Sequence, residues 1–374
     1  MSEDPLPEPD RIDGAPHPRE TTQLFGHDVA EETFLTAFNA GRLHHAWLLS
    51  GPRGIGKATL AWRLARFLLA TPDADSGGLF GDALPARDTL DVPSDHPVAR
   101  RILAGSDPGL FHIRRAVNEK TGRLRDQIVA DNVRDLNRFL GLSATDGGRR
   151  VVLIDVADEV NVQAANALLK MLEEPPVRTT FLLVSHQPDR LLPTIRSRCR
   201  DLRLMQLSAQ DMQSALAQAG IEAGADAAAL AELSGGSAGE AVRLHNLDGL
   251  KIYAELLNLF ASLPRLDRAR AVKLADASAA RGAEEKRDIL FYLLDLFLAR
   301  LARAGATGQV PQPVLPAEPE VLSRLSATPQ QGRAWADCAQ EISARVQHGR
   351  AVNLDPAALV LDTVFKLQKT AASF

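Results

Sequence analysis

Residues 46–70 read AWLLSGPRGIGKATLAWRLARFLLA. A short apolar run of strand length feeds a glycine loop. The residues behind that loop place Leu60, Leu64, Phe67 and Leu68 on one helical face. Strand, G-x-x-x-x-G-K loop and helix in this order form the setting in which a backbone loop cradles phosphate. Gly51, Gly54 and Gly56 allow the loop N–H groups to turn inward, Lys57 adds a positive charge, and the helix N-terminus adds its dipole. One position departs from the pattern. Ala58 stands where a hydroxyl would hold Mg2+, and Thr59 lies one residue on, about 100° around the helix.

Working outward, RRVVLID ends at Asp155, a strand-end carboxylate of the kind that holds the metal beside a phosphate loop. Where a glutamate would polarise the attacking water, the chain has Val156, which accepts no proton; Asp158 and Glu159 follow three and four residues after Asp155. Between these two motifs, residues 71–115 are rich in Pro, Gly and Asp and read as a long insertion. DQIVADNVRDLNRFLGL reads as a helix with Asp131 at its N-cap, and Asp28 is the expected cap of a helix carrying Val29, Phe34, Leu35 and Phe38. Strands alternating with helices over 23–205 predict a wrapped, mostly parallel sheet, whereas everything after about 207 reads as helical.

Composition narrows the class. Apolar residues make up 45% and charged residues 24%, the balance of a globular chain with a core. A net charge of −4 excludes wholesale phosphate neutralisation, so nucleic-acid contact must come from a local basic patch; Arg125, Arg134 and Arg138 are the candidates, against the reading of a solvated helix face. The two cysteines, Cys199 and Cys338, provide neither a disulfide framework nor a multi-cysteine metal site. Residues 1–20 are acidic, proline-rich and nearly devoid of buriable side chains, which predicts a disordered tail, not a secretory leader. No apolar run approaches the roughly 20 residues of a membrane span, and the chain reads as cytoplasmic.

The order of glycine loop, LID (153–155), NALLKMLEEPP (166–176) and IRSRC (195–199) resembles the clamp-loader branch of the AAA+ ATPases. The resemblance implies an α/β AAA+ P-loop domain with a parallel sheet over 21–205, a small helical lid over 206–247 and an all-helical collar over 248–374. It implies a site for ATP or ADP with Mg2+ built from Gly51, Gly54, Gly56, Lys57, Ala58, Thr59 and Asp155. It also assigns Arg198, within the Ser-Arg-Cys triplet, as an arginine finger reaching a neighbour's ATP. The implied partners are motor subunits of the gamma/tau kind, a delta subunit, the sliding clamp and primed DNA, with no membrane.

Three departures separate this chain from the hydrolysing members: Ala58, Val156, and Gly239 in GGSAGEAVRL, where a second sensor arginine would sit. Together they argue against turnover, since such groups each contribute on the order of 10²–10⁴-fold to rate. A stator that keeps its finger while losing its own motor is the leading expectation, and a working ATPase using Thr59 and Asp158 is the alternative. The family's four-cysteine zinc module has no cysteine here in 71–115, so no zinc is expected there; His96 and His112 read as loop residues and no metal ligand is assigned.

Overall fold

The five strands form one all-parallel sheet in the order β2-β3-β4-β1-β5, seen in a computed structural model that describes residues 8–71, 86–118, 122, 124–141 and 148–374. In chain order the elements are α1 (Asp28–Asn39), β1 (Ala46–Ser50), α2 (Lys57–Ala70), α3 (Pro97–Leu103), β2 (Leu110–Ile113), α4 (Ala130–Gly141), β3 (Arg150–Ile154), α5 (Val162–Glu173), β4 (Thr179–Ser185), α6 (Pro193–Arg196), β5 (Arg200–Arg203) and α7 (Ala209–Gln218). Strands β1 and β4 are buried along their whole length, which is why both read as continuous apolar runs and not as alternating ones. Alternation survives in β3: Val151 and Leu153 join one core with α1 and α2, while Val152 and Ile154 join the opposite core with α4 and α5. Because the strands are parallel, the loop after β1, Asp155 after β3 and Ser185 at the end of β4 all emerge at the same edge, where ligands of such sheets bind.

The remaining helices are α8 (Ala227–Leu233), α9 (Ala238–Asn246), α10 (Gly249–Ser262), α11 (Arg268–Ala279), α12 (Glu284–Thr307), α13 (Glu318–Leu325), α14 (Pro329–Ala351) and α15 (Pro356–Ala371). Packing divides the chain into two compact units: the residues up to Glu222 with Gly236–Glu240, and Ala223–Gly235 with Ala241–Phe374. In the second unit Tyr253, Phe260, Phe297 and Trp335 form a fully buried aromatic chain. Helices α12 and α14 cross at Gly305 and Gly332, where a Cβ on Gly305 would lie 2.8 Å from the Gly332 Cα. Asp355 caps α15 through the Ala358 N–H, with Pro356 in the first turn. Among the described residues no helix is long and apolar enough to cross a membrane.

Several local expectations need correction. The expected insertion 71–115 contains α3 and the sheet strand β2; LFHI is a four-residue edge strand between Gly/Asp-rich flanks, too short for its period to register. His112 therefore lies on a strand, and His96 caps α3 by accepting from the Val98 N–H. Asp28 opens α1 but does not cap it; His27 holds that position, and its Nε2–H donates to the Ile55 carbonyl at 2.6 Å. Val29 is exposed, off the buried face of Phe34 and Leu35. Asp131 falls inside α4 and pairs with Arg134 at 2.5 Å on the exposed face, while Asn132 accepts from the Val129 N–H.

The largest correction concerns the expected tail over 1–20. Residues 1–7 lie outside the described residues, but 8–20 pack on the first unit with His17 fully buried. Polar ties hold the segment. Arg114 pairs with Glu8 at 3.1 Å and Asp10 at 2.6 Å, His17 Nε2 lies 3.0 Å from Asp10, and Arg66 donates to the Arg19 carbonyl at 2.7 Å. A criterion based on buriable apolar side chains has no access to such anchoring.

Candidate nucleotide-site remnant

The glycine loop adopts the conformation its sequence demands: Gly54 and Gly56 have φ of 75° and 104°. It is also covered. Gly239 N–H donates to the Gly54 carbonyl at 2.8 Å, and Ser237 Oγ donates to the Arg53 carbonyl at 2.9 Å. A Cβ on Gly54 would stand 2.4 Å from Ser237 Oγ, so this glycine is required by contact as well as by φ. Lys57, buried at the start of α2, donates through Nζ to the Gly51 carbonyl at 2.7 Å and to the Pro52 carbonyl. Its pKa falls to about 8, chiefly from burial, with Asp155 and Asp158 opposing the fall.

Asp155 is buried at the end of β3, and its Oδ2 has no hydrogen-bond partner. Burial, the nearby Asp10 and Glu159 push its pKa up to about 7. The two acidic residues that follow are committed elsewhere. Asp158 accepts from Ser185 Oγ at 2.6 Å and from the backbone N–H groups of His186 at 2.5 Å and Gln187 at 3.0 Å. Glu159 pairs with Arg115 at 2.8 Å. Asp158 thus ties the end of β4 to the loop after β3, a structural clasp that contributes about 1.5–3 kcal/mol per charged hydrogen bond.

The residues present fit a phosphate at the loop better than a phosphate with its Mg2+. The glycine cradle and Lys57 are in place and the following helix begins at Lys57, but Ala58 supplies no oxygen, and Asp155 keeps a buried oxygen unused. Thr59 is half-buried in the first turn of α2.

Arg198 is apart from this loop, just before β5. Its Nη1 donates to the Thr194 carbonyl at 2.9 Å and its Nη2 pairs with Glu173 Oε1 at 2.6 Å; one third of the side chain is exposed. Arg196 pairs with Asp189 at 2.9 Å. Cys199 packs against the core on the α5 side, where burial pushes its thiol up to about 12, so it acts as a small apolar side chain. Arg134 and Arg138 point to solvent, paired with Asp131 and Asp135 along α4.

His186, beside the clasp, has a buried Nδ1 with no partner; burial and the field of Lys57 lower its pKa to about 4. Being neutral in the fold and protonated when unfolded, it removes stability as pH falls from about 6.5 to 4. The expected contribution is on the order of 3 kcal/mol, read as a urea midpoint that drops over this range and flattens in His186→Gln.

Residues 26–208 match the family model described as DNA polymerase III, delta subunit. Over this stretch the chain is similar to that family. The chain is 41% identical over 202 residues to the DNA polymerase III subunit delta' of Pseudomonas aeruginosa, covering 54% of this chain and 56% of that protein. It is 33% identical over 198 residues to the subunit tau of Escherichia coli, covering 52% of this chain and 27% of that one. The chain spans about half the length of the delta' relatives it matches. A solved Thermotoga maritima DNA polymerase III gamma subunit-related protein covers 90% of this chain and 99% of its own at 16% identity, with a TM-score of 0.40. The delta'-like region contains the loop, Asp155 and Arg198, while Gly239 and all of the C-terminal helices from α8 onward lie beyond it.

Asp10, Ser185 and Ser237 lie at the site and are missed by sequence reasoning. Ser185 was accessible in principle, as the polar end of a buried strand at the ligand edge; Asp10 carried no signal, being an acidic residue in an acidic segment.

Proposed function

We propose that the chain is a stator-type subunit of a replicative clamp loader. It assembles with gamma/tau-type motor subunits and a delta subunit, donates Arg198 to a neighbour's ATP site, and helps place a sliding clamp on primed DNA without hydrolysing nucleotide itself. The observation that carries this reading is the commitment of the substitute groups: Asp158 has three hydrogen bonds within the fold and Glu159 an ion pair, so neither takes over from Val156. Loss of a positioned base costs about 10²–10⁴-fold, and Ala58 and Gly239 remove two further supports. A phosphate held by the loop and Lys57 remains compatible with this role, as a nucleotide bound without turnover.

The motor reading has support from the similarity to tau. Steady-state ATPase measurement on the isolated chain decides between them. The stator reading expects turnover indistinguishable from buffer; robust turnover that Lys57→Ala abolishes would sink it.

A further inference from the structure

Outside the phosphate loop, three side chains from distant parts of the chain converge on one buried point. Asp10 comes from the N-terminal segment, His112 from β2 and Asp155 from the end of β3, and one ligand atom of each lies within 4.8 Å of the others. The Asp10 side chain is 3% exposed and His112 17%. His112 Nε2 lies 4.0 Å from Asp10 Oδ2, and neither His112 Nε2 nor Asp155 Oδ2 has a hydrogen-bond partner.

We propose that Asp10, His112 and Asp155 bind a divalent transition cation of the Zn2+, Mn2+ or Fe2+ class, which pins the N-terminal segment to the sheet. Two carboxylates buried side by side need a proton or a cation between them. Arg114 takes Asp10 Oδ1 at 2.6 Å and so compensates one charge, leaving Oδ2 facing the other two donors. The neighbours orient the set. His17 Nδ1 accepts from the Arg19 N–H at 3.0 Å, so its proton sits on Nε2, 3.0 Å from Asp10, as a supporting contact of the kind that fixes metal-bound carboxylates. Trp62 packs edge-on against both His17 and His112, shielding the point from water.

One imidazole nitrogen with two carboxylate oxygens suits these cations better than Mg2+, which prefers oxygen ligands alone and keeps its waters. Bonds of about 2.0–2.2 Å require the donors to draw inward by roughly 1 Å, within the reach of side-chain rotation. This site shares Asp155 with the expected position of a nucleotide's Mg2+ but differs from it in the other two ligands, Asp10 and His112, which belong to none of the phosphate-site motifs. It stands whether or not the chain hydrolyses ATP.

The test is Zn2+ titration of the chelator-treated full chain without nucleotide, with bound metal read after dialysis. One Zn2+ per chain is expected, with affinity at least about tenfold weaker in Asp10→Asn and in His112→Gln. The double variant His44→Gln/His45→Gln, which alters a stacked surface pair, should bind as the parent does. Co2+ in place of Zn2+ should show the visible absorption of low-coordinate cobalt. In the parent chain Zn2+ should slow amide exchange over residues 8–20, a readout that survives if either variant misfolds. Absence of stoichiometric Zn2+, as when only a proton is shared, overturns the proposal. So does binding that persists in both site variants or disappears with His44 and His45, and so does exchange over 8–20 that ignores the metal.

Discussion

Replacing Arg198 with alanine is expected to leave the assembled complex intact and to slow hydrolysis at the neighbouring site by about 10³-fold or more, the scale of a lost arginine finger. The small cost to this chain follows from the local geometry. With one third of its side chain exposed, Arg198 is held by Glu173 and by the Thr194 carbonyl. Such a pair contributes about 0–1 kcal/mol, little enough to be exchanged for a γ-phosphate presented by another subunit. Glu173→Gln should therefore leave folding unchanged and release the guanidinium, with turnover equal to or above that of the parent. Arg198→Lys should recover only a fraction of the rate, because an ammonium lacks the planar fork that contacts two oxygens at once. The measurement is single-turnover hydrolysis in a reconstituted complex whose other motor sites are silenced. Unchanged turnover in Arg198→Ala would remove the in-trans role altogether.

The second large effect lies in the helical unit. Glu318 is fully buried at the start of α13 and accepts from Tyr253 Oη at 2.8 Å, Arg300 Nε at 2.6 Å and the Val314 N–H at 2.6 Å. Arg300, itself buried in α12, also pairs with Glu232 at 2.7 Å and donates to the Gln312 carbonyl. One carboxylate thus joins α10, α12, α13 and the segment before α13. Glu318→Ala leaves a buried guanidinium without its main partner and should cost about 3–5 kcal/mol. Replacing both members, as Glu318→Met with Arg300→Met, should cost clearly less, since the burial penalty disappears together with the attraction. Urea unfolding followed by amide exchange over α10, α12 and α13 reports on this unit; a loss under 1 kcal/mol in Glu318→Ala would show that the network is dispensable.

The sheet was legible because its central strands β1 and β4 are buried on both faces, so AWLLS and TTFLLVS stand out as apolar runs beside their turns. The loop conformation was legible because glycine spacing and backbone geometry are linked directly. The β2 strand and the 8–20 segment were not. The former has four residues, and the latter is fixed by Arg114 and Arg66, whose partners lie tens of residues away or are backbone carbonyls. Ion pairs across that separation leave no period in the sequence. The commitment of Asp158 was equally hidden, because its three donors arrive with the end of β4 and the residues after it.

The contact between Gly54 and Gly239 limits what substitution alone can do at this loop. A Cβ added at Gly239 would lie 2.9 Å from the Gly54 Cα and 2.7 Å from Ile12 Cδ1, so no side chain fits there while the segment rests on the loop. Thr at 58 and Glu at 156 would supply two of the groups of a hydrolysing site, yet an arginine at 239 would first have to displace the covering segment. Position 239 is thus closed to any side chain by backbone contact, and opening it requires moving the segment, not only changing the residue.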